Sequence, residues 1–252
     1  MEALRPAISI AFVIALAALL PLPSDADDQA PSARQIMELA TAAAGGDAWR
    51  YAETNLMTGD ATLFRNGIGV HADRYEMRRV YPRELPEVHT NTGLFRLDAY
   101  RKEKSLFSIS YDGQQMYDQN GPMTPEQAKN LAASSFGFSA VRFALDESFT
   151  LTKMPDDQIE GQPSYFVQVT DPSGGKTLVG VEKQNHALRY VGWQTPRGWH
   201  HRLYSDLYTL ESGFVQPGRV RLYYDGIKTA DINWTKAVLN TEFSADTFVI
   251  EN

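Results

Sequence analysis

The sequence predicts an α+β fold in which one large, curved antiparallel meander sheet is covered by an N-terminal helix and a central helical segment. Three observations predict it. Apolar runs of strand length follow one another with only short turns between them, among them Asn66-Gly67, Asp112-Gly113 and Asp225-Gly226. Short loops of this kind make successive strands antiparallel neighbours. A single internal stretch, Thr124 to Leu145, breaks the pattern and reads as helix.

At 252 residues and 43% hydrophobic, the chain is long enough for one large domain with a real core. Its net charge of −7 and scattered Lys and Arg residues give no basic stripe, which argues against a nucleic-acid partner. Arg5 precedes an apolar run from Ala7 to Leu20, shorter than the roughly 20 residues a membrane span needs. Pro21 and Pro23 end that run, and Ser24-Asp25-Ala26 resembles a small-x-small cleavage site. Residues 1–26 are therefore expected to be a secretory signal peptide, with an uncleaved anchor as the alternative because Glu2 stands beside Arg5, and 27–252 a single exported domain. No stable membrane span is expected after signal removal, and the location is expected to be periplasmic. The chain has no cysteine, which excludes disulfides, thiolate metal sites, cysteine nucleophiles and a lipid-modified cysteine anchor.

In the mature region, Ser32 is a good N-cap with Gln35 at the capping-box position. Ile36, Leu39, Ala40 and Ala43 then share one helical face, and Gly45-Gly46 suits a left-handed C-cap. Trp49 reads as a core anchor. Strands are expected over Leu56–Phe64, His71–Tyr81, Leu94–Tyr100, Leu106–Tyr111 and Gln115–Tyr117. The central segment starts at Thr124, a second N-cap, with Pro125 at the first helical position and Gln127 closing a capping box. Its second half is apolar on more than one side: Phe136, Phe138, Val141, Phe143 and Leu145. Such a helix must be enclosed or must cover something apolar. It is either an ordinary core helix or a lid, over about residues 124–147, above an apolar cavity.

Strands return over Tyr165–Thr170, Leu178–Glu182, Leu188–Gln194 and Trp199–Thr209, with breaks at Gly213 and Pro217-Gly218. Val220–Tyr224 and Ile227–Leu239 close the chain. Alternation gives these strands one thoroughly apolar and aromatic face. A curved sheet with such a face needs a cover, and its aromatic rows suit a wall that grips alkyl chains without directional chemistry. Candidate ligand-binding residues are Phe136, Phe138, Val141 and Leu145 in the lid, with Tyr190, Trp193, Tyr224 and Trp234 on the wall.

Three stretches together resemble the LolA/LolB-type lipoprotein-carrier superfamily. They are Ala42-Ala43-Ala44-Gly45-Gly46-Asp47-Ala48-Trp49 with the strand containing Gly59; Tyr111-Asp112-Gly113 with Met116-Tyr117; and the tail from Tyr224-Asp225-Gly226 through Ala237-Val238-Leu239-Asn240 to Asp246-Thr247-Phe248. The resemblance spans almost the whole mature chain, as a pattern of order and spacing. It implies an incomplete antiparallel β-barrel whose open mouth is closed by helices around a cavity for acyl chains. It implies a lipid or a lipid-modified protein as cargo, envelope proteins as partners, and no cofactor. It does not fix which arginine, Arg142 or one on the inner face, takes the lid-holding role of the family.

Chemistry-bearing patterns are sparse. The adjacent pair His200-His201 lies on an expected strand, where neighbouring side chains point to opposite faces, and no metal-ligand spacing occurs. No GxSxG elbow is present, and Gly174-Gly175-Lys176-Thr177 reads as a hairpin turn rather than a phosphate loop. No catalytic or metal residue is assigned. Two other readings stay open: an extracytoplasmic enzyme using His200, His201 or Asp206 on an envelope substrate, and a structural envelope protein that pairs through a sheet edge.

Overall fold

The computed structural model describes residues 30–81, 93–128 and 138–251. The expected signal peptide and, in the expected lid, Phe136 and the Phe138 side chain lie outside the described residues. Helices α1 (Ala33–Ala43) and α2 (Asp47–Arg50) precede strands β1 (Thr54–Arg65), β2 (Ile68–Val80), β3 (Phe95–Arg101), β4 (Lys104–Tyr111), β5 (Met116–Asp118) and β6 (Gly121–Pro122). Helix α3 (Phe138–Phe143) follows, then β7 (Thr150–Ile159), β8 (Gln162–Thr170), β9 (Lys176–Glu182), β10 (Leu188–Thr195), β11 (Gly198–Thr209), β12 (Val215–Tyr224) and β13 (Ile227–Leu239).

All thirteen strands join one antiparallel, curved and unclosed sheet in the order β6-β5-β4-β3-β2-β1-β13-β12-β11-β10-β9-β8-β7. Its centre is the pairing of the first strand with the last, with Asn55 opposite Leu239 and Leu63 opposite Ala230. From that pair two meanders run outward in opposite directions. The chain between β6 and β7 therefore has to travel from one edge of the sheet to the other.

The turns obey their chemistry. Asn66-Gly67 and Asp225-Gly226 both take positive φ at both positions, as a tight hairpin with the correct twist requires. Helix α1 carries the expected capping box, with the Ser32 N–H donating to Gln35 Oε1 at 2.9 Å. It buries Ile36, Met37 and Ala40, while Leu39 is exposed; the buried face is rotated slightly from the one the spacing suggested. Thr124 and Gln127 also form their capping box, and residues 125–128 make a helical turn.

Helix α1 packs on β7 and β8, and α3 packs on α2 and β9. Beneath them Val167, Val169, Val179, Val181 and Val191 are completely buried, as are Ala140 and Ala144 of the α3 region. Arginines fasten the helices. Arg142 is 3% exposed and its Nη2 donates to the carbonyls of Trp49 (2.5 Å), Arg50 (2.8 Å) and Ala52 (3.1 Å). Arg34 donates to the Leu145 carbonyl, and Arg50 pairs with Asp146.

Two strand features depart from the sequence reading. Pro217-Gly218 does not break a strand. It lies inside β12, which keeps one register with β11 on both sides of it; Gly218 leaves room for the Asp206 carbonyl, and Asp206 adopts φ 54°. Strand β7 was not expected at all, because an exposed edge strand carrying Pro155, Asp156 and Asp157 lacks the alternation of a half-buried one.

Gly59 sits at a register shift in the β1–β13 pairing, and a Cβ there would lie 1.8 Å from the Asn233 carbonyl oxygen. Backbone cannot yield as a side chain does. Gly59→Ala should therefore destabilise the protein by at least the 1–3 kcal/mol typical of overpacking, seen as a lower denaturation midpoint. An unchanged midpoint would contradict this close approach of the two strands.

Candidate functional site

Among the described residues, helices α1 and α3 pack on β7, β8 and β9. The other half of the sheet encloses a cavity of about 290 Å³. Its walls come from Met57 and Leu63 on β1, Tyr75, Met77 and Arg79 on β2, and Phe95, Leu97 and Ile109 on β3 and β4. The opposite wall is Arg202 and Tyr204 on β11, Val220, Leu222 and Tyr224 on β12, and Ala230, Ile232 and Trp234 on β13. Phe214, Val215, Gln216 and Pro217 close one end together with Trp49, the sole helical contributor among the described residues.

The cavity has a direction. At one end Arg79, Tyr81, Phe214 and Gln216 are buried; at the other Leu63, Leu222 and Tyr224 are half-exposed and Arg197 is exposed. Arg79 lies opposite Asn55 in the β1–β2 pairing, and β1 from Asn55 to Leu63 spans roughly 26 Å. The space is thus long and narrow. Tyr75 and Trp234 meet on its floor, ring centroids 5.4 Å apart.

The aromatic wall residues named from the sequence divide by face. Tyr224 and Trp234 line the cavity. Trp193 is 1% exposed in the adjoining core, edge-on to His200 at 4.6 Å. Tyr190 is turned the other way: its hydroxyl accepts from Trp199 Nε1 at 2.9 Å and its ring stacks on His201, which stacks in turn on Tyr223. Strand alternation forces this, since Val191 and Trp193 take the inner positions of β10. Val141 is buried in the core under α3, and Leu145 packs against that core; neither lines the cavity.

The inner positions of β11 are His200, Arg202 and Tyr204, and those of β2 include Tyr75 and Arg79. Sequence reasoning passed over Arg79, Arg202 and Tyr204 because it sought apolar residues. The signal available was the register, which places them in line with apolar neighbours. Arg202 Nε donates to His200 Nε2 at 3.1 Å, and its guanidinium lies 5.2 Å from the Trp193 ring. His200 is sealed from solvent, and burial first, then the neighbouring Arg202, pushes its pKa down to about 2. Burial also raises the Tyr75 and Tyr204 hydroxyls, Tyr204 to about 12. His200, His201 and Asp206 do not converge. The two histidines face opposite ways, and Asp206 is exposed about 20 Å along β11 from His200.

This architecture is similar in fold to solved structures of low sequence identity. The chain is similar to a LolA superfamily protein from Nitrosomonas europaea, at 12% identity and a TM-score of 0.51, covering 87% of this chain and 98% of that one. It is similar to a DUF1329 family protein from Desulfovibrio piger at 11% identity and a TM-score of 0.50, covering 86% and 97%. An outer membrane lipoprotein-sorting protein domain from Vibrio parahaemolyticus aligns at 13% identity and a TM-score of 0.49, over 86% and 97%. No family model matches the sequence, and no curated protein matches it. At these identities the likeness concerns the fold. Among the described residues, no helix is long and apolar enough to cross a membrane, and no three His, Asp or Glu side chains gather as a metal site.

The buried histidine fixes a pH response. In the unfolded chain His200 takes up a proton as the pH falls below its ordinary 6.5, whereas in the fold it stays neutral to about 2. The unfolded state then binds more protons, so stability falls as the pH is lowered. His200 alone should account for about 2 kcal/mol of loss between pH 7 and pH 5. Urea denaturation at both values should show a smaller loss for His200→Gln than for the wild type. Equal losses would contradict a neutral, buried His200.

Proposed function

We propose that the protein is an exported, periplasmic carrier that holds a lipid, a lipid-modified protein or another apolar cargo in the cavity of the open sheet. The observation that carries this reading is the cavity itself: a long, narrow space walled mainly by apolar and aromatic side chains and left uncovered by α1 and α3. The likeness in fold to a LolA superfamily protein supports it, as does the N-terminal apolar run expected of an export signal. The physics is simple transfer from water. Each buried methylene contributes roughly 0.8 kcal/mol, so a chain of ordinary lipid length could be held tightly without any covalent step.

The segment joining β6 to β7 would act as the cover. It spans the two sheet edges, and its α3 end is anchored on α2 through Arg142. Release would then require loosening that cover or competition from an envelope partner. Val141 and Leu145 would serve as the fixed base of the cover, while Tyr224 and Trp234 would touch the cargo.

Ala230 faces the cavity between Leu63 and Leu222 on the flanking strands. Ala230→Leu should extend into the space without crowding the core. Displacement of a fluorescent fatty-acid probe should then weaken about fourfold for each ligand methylene excluded, with thermal melting little changed. A wild-type protein that never binds the probe, or that fractionates with the cytoplasm, would overturn the reading.

A further inference from the structure

The deep end of the cavity is cationic. Arg79 is 4% exposed, yet it lines the space, and its Nε and Nη2 have no hydrogen-bond partner among the described residues. Its nearest described aromatic company is the Tyr81 ring, 5.0 Å from its Cζ; the same ring lies 4.1 Å from Cζ of Arg142. Arg202 lines the same space, and no described lining residue is Asp or Glu. Burial, with Arg202 and Arg142 nearby, pushes Arg79 down to about 10, so it remains a cation at neutral pH.

A buried charge without a counter-charge is costly, and native proteins rarely keep one without a use. A planar guanidinium with free N–H groups matches a carboxylate or phosphate. Beyond it the wall is apolar and aromatic, running past Tyr75, Trp234 and Ile232 to the half-exposed Leu222 and Leu63. A buried cation therefore lies at the deep end, with a mainly apolar and aromatic wall beyond it and Arg197 at the exposed rim.

We propose that the cavity takes a single-chain amphiphile with an acidic headgroup, carboxylate or phosphate, which is seated headgroup-inward against Arg79 with its chain along the aromatic wall. This rests on the carrier reading and narrows it. The acyl chains of a lipid-modified protein must enter tail first, because the attached protein stays outside, and would leave Arg79 facing methylenes. A free acid satisfies both ends. The volume of about 290 Å³ suits one chain rather than several.

The test compares delipidated protein with three ligands of one chain: oleate, oleoyl lysophosphatidate and neutral oleyl alcohol, each titrated calorimetrically at pH 8. At least one acid should bind about 10- to 100-fold more tightly than the alcohol, as expected of a buried charge-assisted hydrogen bond. Which acid is preferred identifies the headgroup. Arg79→Met removes the charge at similar length and should abolish that preference while retaining the alcohol. Equal wild-type affinities for the three ligands, or a preference that survives in Arg79→Met, overturn the proposal and leave the carrier reading standing. Binding of none of the three overturns both. The wild-type comparison decides the question even where the variant fails to fold.

Discussion

The pairing of β1 with β13 is the constraint from which the rest of the structure follows. It brings residues such as Asn55 and Leu239 side by side from opposite ends of the folded chain. That contact closes a very long loop, so its entropic cost is met only when both meanders are in place. Once it forms, the two meanders can only grow outward, and the chain between them must cross from the β6 edge to the β7 edge. Helices near the concave face are a consequence of topology as much as of their own sequence. Gly59 belongs to this constraint, since only a glycine lets the two central backbones approach at the register shift.

The cover that results is unequal. Over β7–β9 small and β-branched residues, Val167, Val169, Val179, Val181, Ala140 and Ala144, are completely buried where helix and sheet meet. On the other half the inner positions are large and include arginines, and the sheet curves round a space that its own side chains do not fill. One half of the sheet is thus packed under helices, and the other bounds a cavity. Arg142 joins the two, because the same buried guanidinium that holds α3 to the α2 backbone lies over Tyr81 at the deep end of the cavity.

Much of the fold was legible. The Asn-Gly and Asp-Gly turns, both capping boxes and the glycine pair after α1 carry local chemistry that tertiary context did not override. Strand β7 is illegible because an edge strand need not alternate, and Pro217-Gly218 looks like a break because Pro-Gly is turn chemistry, whereas here the glycine admits the Asp206 carbonyl within a continuous strand. The cavity was harder. Tyr224 and Trp234 fall on its wall by alternation, but Tyr190 and Trp193 are three residues apart on one strand, so they face opposite ways and cannot share a wall. Val141 could not be told from a lid residue, because a buried helix face and a cargo-facing one have the same composition. Arg79 and Arg202 are invisible to a search for apolar rows, though both line the cavity.

The central claim is that the half of the sheet left open by the helices exists to be filled by a small amphiphile. Native mass spectrometry of the protein, purified from its native host without detergent, is the measurement that decides this. The expected species is heavier than the polypeptide by the mass of one single-chain acidic lipid, which is lost on delipidation. A polypeptide of bare mass, or one bearing only a large multi-chain lipid, would contradict it.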